Sequence, residues 1–134
     1  MSTTDMIRSH PNPTADLNVD LLAEAIDAAG ACATTCSACA DACLAEESVA
    51  ELRDCIRTDL DCADICAATA AVLSRRTGSN LGTVKELLTA CQMACATCAD
   101  DCESHAEMHA HCKVCGEACR RCEKACAELL SAIG

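Results

Sequence analysis

The chain has no Phe, Trp or Tyr among its 134 residues, although 51% of them are hydrophobic. Aromatic rings usually fill much of a core of this size, so another kind of side chain must occupy the interior. A chain of this length buries roughly two-thirds of its unfolded surface, so neither disulfides nor a metal are needed merely for folding. The unusual residue is cysteine, which occurs 16 times.

Basic residues and long apolar runs are also scarce. The chain has 10 Lys and Arg residues against 21 Asp and Glu residues. The resulting net charge of −11 argues against nucleic acid and anionic membranes as partners. No stretch reaches the roughly 18–20 apolar residues of a membrane span. The polar start "MSTTDMIRSHPNPTADLNVD" lacks the apolar region of a secretion signal. These features predict a soluble cytoplasmic protein whose thiols stay reduced.

The few helix breakers divide the chain into four long helical stretches. Residues 1–15, which carry Pro11 and Pro13, are predicted to form a flexible N-terminal arm, and residues 16–134 one helical domain. "SVAE" at Ser48 and "TVKE" at Thr83 read as capping boxes that start the second and third helices. Short connections predict an all-α, antiparallel up-down-up-down four-helix bundle. The helices are predicted over about 18–43, 48–76, 83–106 and 110–133.

The cysteines recur at alternating steps of three and four residues in every predicted helix. Such steps average 3.5 residues, which is the spacing of core positions in packed helices, so the thiols are predicted to line the interior. Asp59 occupies the position where a further cysteine would continue the rhythm of the second helix. The cysteines are Cys32, Cys36, Cys39, Cys43, Cys55, Cys62, Cys66, Cys91, Cys95, Cys98, Cys102, Cys112, Cys115, Cys119, Cys122 and Cys126.

The two ends of this cysteine column are predicted to differ. Continuing the steps of three and four residues past Cys102 in the third helix reaches His105 and His109. Counting the same steps back from Cys112 and Cys115 in the fourth helix reaches Met108 and His111. These four side chains would form a mouth of soft or borderline metal ligands. The opposite end would be closed by an aliphatic plug of Leu22, Leu73, Val84, Leu88, Leu129 and Ile133.

Chance burial of 16 cysteines in register is implausible. Disulfides within a helix are disfavoured, because residues four apart have Cβ atoms about 5–6 Å apart and a disulfide needs about 3.5–4.5 Å. Metal binding remains, and thiolate suits Cu(I), zinc and iron–sulfur clusters. Buried thiolates need charge compensation, so about 16 Cu(I) ions, or about half as many Zn(II), would neutralise the core. So many equivalent ligands indicate a store rather than an enzyme.

The CxxxC motifs in all four helices and the His/Met connection resemble the cysteine-rich four-helix-bundle copper storage proteins over about residues 18–133. The resemblance implies Cu(I) on all the cysteines, entry at the end bearing His105 and His109, and assembly as homotetramers. Without an apparent leader, the sequence resembles the cytosolic branch of this family. A cytosolic copper chaperone is then a candidate partner. Asp59 departs from a full set of thiols and is expected to accept hydrogen bonds from them, with direct ligation as a minor alternative. A zinc-buffering or thiol-redox protein of metallothionein type remains the alternative function.

Overall fold

The computed structural model describes residues 2–12, 14, 17–78 and 80–133. These residues form helices and no strand, so the prediction of an all-α protein is confirmed. The elements are α1 (Thr3–Ser9), α2 (Val19–Leu44), a 3₁₀ turn (Val49–Leu52), α3 (Arg53–Leu73), α4 (Leu81–His105) and α5 (Ala110–Ile133).

The four long helices pack around one interior. Helix α2 contacts α3 and α5, and α4 contacts the same two helices, so each long helix has two long neighbours. The interior contains all the cysteines together with Ala and Leu side chains, and each cysteine is at most 2% exposed. Sulfur therefore fills the space that aromatic rings would normally occupy.

Helices α2 and α5 begin and end close to the predicted residues. The Asn18 side chain accepts hydrogen bonds from the backbone N–H groups of Asp20 and Leu21, which satisfies donors that the first turn leaves unpaired. Helix α5 spans Ala110–Ile133, as predicted. Gly116 lies buried within α5, where a β-carbon would meet the side chains of Glu103 and Cys102 at 3.4 and 3.6 Å.

The predicted bounds of the second helix are wrong at both ends. Ser48 makes no side-chain capping bond, and a 3₁₀ turn precedes α3 because this tighter turn carries Leu52 into the core, where it is 1% exposed. Helix α3 ends at Leu73 rather than near Arg76. There the hydroxyl of Ser74 donates to the carbonyl of Ala70 at 2.7 Å and takes up one of the last helical acceptors.

The capping box predicted for the third helix is also wrong. Helix α4 begins at Leu81, so Thr83 lies inside its first turns and cannot cap it. Its N-cap is Asn80, whose side chain makes no capping bond. Gly78 has φ +83°, a left-handed conformation that favours glycine, and this explains the turn between α3 and α4. Ser79 of the predicted loop lies outside the described residues.

Within the N-terminal arm that the sequence predicts to be flexible, residues 3–9 form α1. The Ser2 and Asp5 side chains form a capping box at its start, and Ile7 is only 7% exposed. Arg76 holds the segment in place, because its guanidinium donates to the carbonyl of Ile7 at 2.7 Å and to that of Asn12 at 3.2 Å. One buried isoleucine and one arginine thus order a segment whose composition alone suggests a loose arm. Residues 1, 13 and 15 of that arm lie outside the described residues.

The aliphatic plug forms as predicted. Its leucines are at most 4% exposed, and Val84 and Ile133 are half-buried against them. Most of its members line one cavity of about 240 Å³, which shows that they meet at the same end of the bundle. The residues of the plug that line this cavity are Leu22, Leu73, Val84, Leu129 and Ile133.

Candidate metal centre

The thiols form a continuous column along the interior. All 16 cysteines are free, and neighbouring sulfurs from the same or different helices lie 3.5 to 4.0 Å apart. Cys36, for example, has its Sγ 3.6 Å from that of Cys32 on the same helix and 3.5 Å from that of Cys119 on α5. An ion bound to two sulfurs at about 2.3 Å each allows a separation of up to about 4.6 Å. Most adjacent pairs could therefore share an ion without movement of the backbone.

The sulfurs are arranged in overlapping groups of four. Each group contains ligand atoms that all lie within 4.8 Å of one another, and consecutive groups share at least one cysteine. The shared residues, from the deep part of the column towards the mouth, are Cys32, then Cys36 and Cys119, then Cys115, then Cys39. Five of these groups are Cys32/Cys66/Cys95/Cys122, Cys32/Cys36/Cys62/Cys119, Cys36/Cys98/Cys115/Cys119, Cys39/Asp59/Cys102/Cys115 and Cys39/Cys43/His111/Cys112.

Asp59 lies in this column with no exposed surface. Its Oδ1 accepts hydrogen bonds from the thiols of Cys98 at 3.0 Å, Cys115 at 3.2 Å and Cys102 at 3.5 Å, as expected from its position in the cysteine rhythm. Burial, reinforced by Cys98, raises the pKa of Asp59 to about 9. Asp59 is therefore a neutral carboxylic acid at pH 7 when no metal is present.

The mouth of the column is formed by the α2–3₁₀ connection and the start of α5. Nδ1 of His111 lies 3.4 Å from the sulfur of Cys39 and 3.6 Å from that of Cys112. Its other nitrogen, Nε2, lies 3.1 Å from Oε2 of Glu46. The same oxygen pairs with Nδ1 of His109, whose ring stacks on that of His111 with centroids 5.4 Å apart. Glu46, His109 and His111 thus join the thiols to the protein surface.

Of the histidines predicted for the mouth, His111 is the one that meets the thiols. The sequence predicts that His105 and His109 pass ions to Cys102 and Cys43, whereas in the described chain thiols are hydrogen-bonded to His111 and not to His105 or His109. His105 ends α4 and is half-buried, and Met108 is 74% exposed. Helix α4 ends at His105, so His109 lies in the connection to α5 rather than on the helical face that the sequence predicts.

Glu46 is the mouth residue that sequence reasoning missed. It lies in the connection at residues 44–47, at the same end as the histidines, and its carboxylate pairs with two of them. A carboxylate that faces metal-binding histidines commonly orients them. The sequence did contain a signal for this role, because an antiparallel bundle places the 44–47 connection at the same end as the "ESHAEMHAH" connection.

Two thiols at the mouth, those of Cys112 and Cys43, are held in the protonated form in the metal-free protein. Burial, with Cys39 acting in the same direction, raises the pKa of Cys112 to about 11 and also raises that of Cys43. Burial alone would lower the pKa of His111, but its hydrogen bonds with Cys39 and Glu46 raise it overall. A metal ion that binds these thiols must therefore displace protons.

Within the described residues, no helix is both long enough and apolar enough to cross a membrane. Ionic contacts on the surface include Arg120 of α5, which pairs with Asp100 and Glu103 of α4 and with Glu123 of its own helix. Exposed pairs of this kind usually contribute little to stability. The chemically distinctive part of the molecule is thus the column and its mouth.

Comparison with known proteins gives consistent matches over most of the chain. Residues 18–131 match the family described as copper storage protein. The uncharacterized cysteine-rich protein YhjQ of Bacillus subtilis (strain 168) is 36% identical over 101 residues, which cover 75% of this chain and 88% of YhjQ.

Two solved structures from Streptomyces lividans are similar as well. The copper storage protein Ccsp loaded with 10 copper equivalents has a TM-score of 0.96 at 50% identity, covering 98% of this chain and 99% of that chain. A cytosolic copper storage protein with five coppers has a TM-score of 0.82 at 56% identity, covering 84% of this chain and 93% of that chain. With its column of buried thiols and these matches, the chain belongs to the copper storage protein family.

Proposed function

We propose that this protein stores many Cu(I) ions as thiolate clusters inside its helical bundle, for copper storage and detoxification in the cytosol. The observation that carries the proposal is the overlap of the groups of four ligands, each with three or four sulfurs, through shared cysteines. A cysteine that belongs to two groups can bridge two ions, so the column can hold a continuous series of ions. The likeness to copper-loaded and cytosolic relatives supports the same reading.

Charge favours Cu(I) over zinc at individual sites. The sulfur spacings of 3.5 to 4.0 Å would also suit tetrahedral zinc, so geometry alone does not separate the two metals. A closed zinc site whose four thiolates are shared with no other ion keeps a net charge of about −2, and burying such a charge repeatedly along one column is costly. One Cu(I) per thiolate leaves the column neutral, and thiolate is a soft ligand that suits Cu(I). The proposed capacity is therefore about 16 ions by charge neutrality.

The contacts between sulfurs support an antiparallel up-down-up-down arrangement of α2–α5, built from residues 16–134. Cys32 contacts Cys119, whereas Cys39, further along α2, contacts His111, which is earlier in α5. The same reversal relates α3 and α4, where Cys55 contacts Cys102 at 3.7 Å and Cys66 contacts Cys91 at 3.7 Å. Each thiol of the column thus faces partners from neighbouring helices at the same height.

The residues proposed to hold copper are the 16 cysteines, with His111 as the ligand at the mouth. His105, His109 and Met108 are proposed as further entrance ligands, because they lie on the same connection. Neutral imidazole and thioether bind Cu(I) less strongly than thiolate does, which suits transfer rather than retention. Asp59 is proposed to accept hydrogen bonds from thiols that have not yet bound copper.

A storage role without catalysis is proposed, because many equivalent ligands serve capacity whereas a reaction site needs few. Assembly as a homotetramer is proposed from the resemblance, and exposed apolar side chains support contact between copies. Met93 is 66% exposed and lines a groove between α3 and α4 together with Ile65, Ala90 and Ala94. A cytosolic copper chaperone is proposed as the donor or acceptor of the ions.

Anaerobic titration of the reduced protein tests the proposal. Cu(I) is added in the presence of a strong chelator, and a parallel titration uses zinc. We expect uptake of about one Cu(I) per cysteine, by charge neutrality, and retention when zinc is added. Saturation near four ions, or displacement of copper by equimolar zinc, would instead support a zinc-buffering protein of metallothionein type. Loss of thiols to disulfides during cycles of mild oxidation and reduction, without metal uptake, would support a thiol-redox protein.

A further inference from the structure

The mouth contains one carboxylate between two imidazoles. Oε2 of Glu46 pairs with Nε2 of His111 at 3.1 Å and with Nδ1 of His109. The side chain of Glu46 is 32% exposed, and those of His109 and His111 are 13% and 26% exposed. The three groups are therefore sheltered but reachable from solvent.

The pairing determines which nitrogen of each ring carries the proton. A carboxylate oxygen only accepts hydrogen bonds, so in a neutral ring the nitrogen that faces Glu46 must be the one that carries the proton. If His111 carried its proton on Nδ1, the lone pair of Nε2 would face a negatively charged oxygen at 3.1 Å, which is repulsive. The same argument requires the proton of His109 on Nδ1. The two rings are thus in opposite tautomers.

The consequence is that one nitrogen of each ring keeps a free lone pair. In His111 this is Nδ1, which lies 3.4 Å from the sulfur of Cys39 and 3.6 Å from that of Cys112. In His109 it is Nε2. Only a nitrogen with a free lone pair can bind a metal ion. The stacking of the rings, with 20° between their planes, holds both nitrogens in a defined relation.

The backbone around Glu46 is suited to this task. Its N–H donates to the carbonyl of Cys43 at 3.2 Å, and its carbonyl accepts from the N–H of Val49 at 3.2 Å. His109 is fixed in a similar way, because its carbonyl accepts from the N–H groups of Cys112 and Lys113 at the start of α5. The carboxylate and the imidazoles are therefore presented by fixed backbone segments.

We infer that Glu46 is a positioning residue that holds His111 in the Nε2–H tautomer and His109 in the Nδ1–H tautomer, so that a nitrogen lone pair is ready for each Cu(I) ion that enters. This role rests on the proposed function, because the cargo is the Cu(I) that the column stores. Outer groups that orient a metal-binding histidine typically change metal affinity or activity about 10–100-fold when they are removed. Glu46 does not bind the ion and acts only through the two histidines.

The first test uses the metal-free protein and needs no copper. Long-range ¹H–¹⁵N spectra of the histidine rings are recorded at rising pH up to about pH 8.5–9, roughly two units above the ordinary imidazole pKa, because the contacts of His111 raise its pKa. We expect His111 to show the proton on Nε2 and His109 to show it on Nδ1. In Glu46→Ala both rings should lose this preference, whereas Glu46→Gln keeps an acceptor oxygen and should retain it at His111. The exposed neighbour Glu47, changed to Gln, removes the same charge and should leave both rings as in the wild type.

The second test measures the rate of Cu(I) uptake from a chelator by stopped-flow. We expect Glu46→Ala to take up Cu(I) about tenfold more slowly, Glu46→Gln to be closer to the wild type, and Glu47→Gln to match it, all with unchanged total capacity. A wild-type His111 with its proton on Nδ1 would overturn the inference. A changed tautomer with an unchanged uptake rate would overturn it too. Failure of the wild type to store Cu(I) would refute the proposed function instead, and the spectra would still report the tautomers.

Discussion

The sulfur of Cys98 on α4 lies 3.0 Å from Oδ1 of Asp59 on α3, and neither residue has any exposed surface. Burial, reinforced by this contact, raises the pKa of Asp59 to about 9. A carboxyl group that is neutral when folded but ionises near pH 4 when unfolded makes stability depend on pH.

The first prediction concerns this pH dependence in the metal-free protein. Between about pH 4 and pH 9 the unfolded chain releases the Asp59 proton and the folded chain keeps it, so the free energy of unfolding should fall as pH rises. The stability is complete below the unfolded pKa and is lost as pH rises towards the folded pKa. Asp59→Asn should flatten this slope and stabilise the protein at pH 8 by about 1–3 kcal/mol.

Urea denaturation at pH 5 and pH 8, with reductant present, measures the effect. The exposed Asp64 on the same helix provides the control, and Asp64→Asn should keep the wild-type slope. An Asp59→Asn variant that loses stability with pH as steeply as the wild type would show that another group causes the dependence.

A second prediction is that the reduced, metal-free protein is already helical. All the cysteines are buried next to one another as free thiols, and α2 begins with a side-chain cap from Asn18. Zinc fingers, by contrast, need metal in order to fold. Circular dichroism without metal should therefore show mostly helix and a cooperative thermal transition. A random-coil spectrum that becomes helical only after copper is added would contradict this.

The third prediction compares two cysteines with different surroundings. Cys36→Ser should lower the copper capacity by about two ions, because its sulfur belongs to two overlapping groups and a hydroxyl is a poor ligand for Cu(I). Cys126→Ser should cost about one ion, because its sulfur lies 4.0 Å from that of Cys122 and in none of the five groups named above. Native mass spectrometry after anaerobic loading measures both, and equal losses would argue against bridging. The sulfurs within 4 Å of Cys36 are those of Cys32, Cys98, Cys115 and Cys119.

The fourth prediction concerns the histidines at the mouth. His111→Ala should slow Cu(I) uptake by about tenfold, which corresponds to about 1.4 kcal/mol in the barrier, because His111 is the imidazole in contact with Cys39 and Cys112. His105→Ala should have a smaller effect, since no hydrogen bond joins it to a thiol in the described chain. Both variants should keep the capacity within about one or two ions, the number that the mouth itself could hold. Stopped-flow measurement of Cu(I) transfer from a chelator compares the uptake rates of the two variants. A larger effect of His105→Ala would support entry through His105, as the sequence predicts.

The fifth prediction concerns α1. Arg76→Ala removes the two hydrogen bonds to the carbonyls of Ile7 and Asn12 and should lower the stability of the docked segment by about 1 kcal/mol. Limited proteolysis should then cleave the first 12 residues faster, with little change in global unfolding. Arg75→Ala, which changes the exposed neighbour, should be cleaved like the wild type. Equal cleavage of all three proteins would show that Arg76 does not hold α1.

Much of the column could be read from the sequence because a helix repeats every 3.6 residues. The alternating steps place Cys91, Cys95, Cys98 and Cys102 on one face of α4. Because cysteine is a small hydrophobic side chain, a helix face lined by it packs into the core. The same rhythm shows that Asp59 must lie among thiols. The helix ends were less predictable, because Ser48 and Thr83 resemble caps in the sequence but do not cap a helix in the structure.

The sequence by itself determined that the chain is helical, that its thiols are internal and that leucines close one end. The tertiary structure decided which groups meet at the other end. A periodic pattern assigns a residue to a face of its own helix, but it carries no information on how two connections fold over each other. The contact of His111 with Cys39, the bridge from Glu46 to two histidines and the docking of α1 through Arg76 join residues far apart in the chain. Such contacts exist only after the helices have packed, and packing therefore sets the chemistry of the mouth.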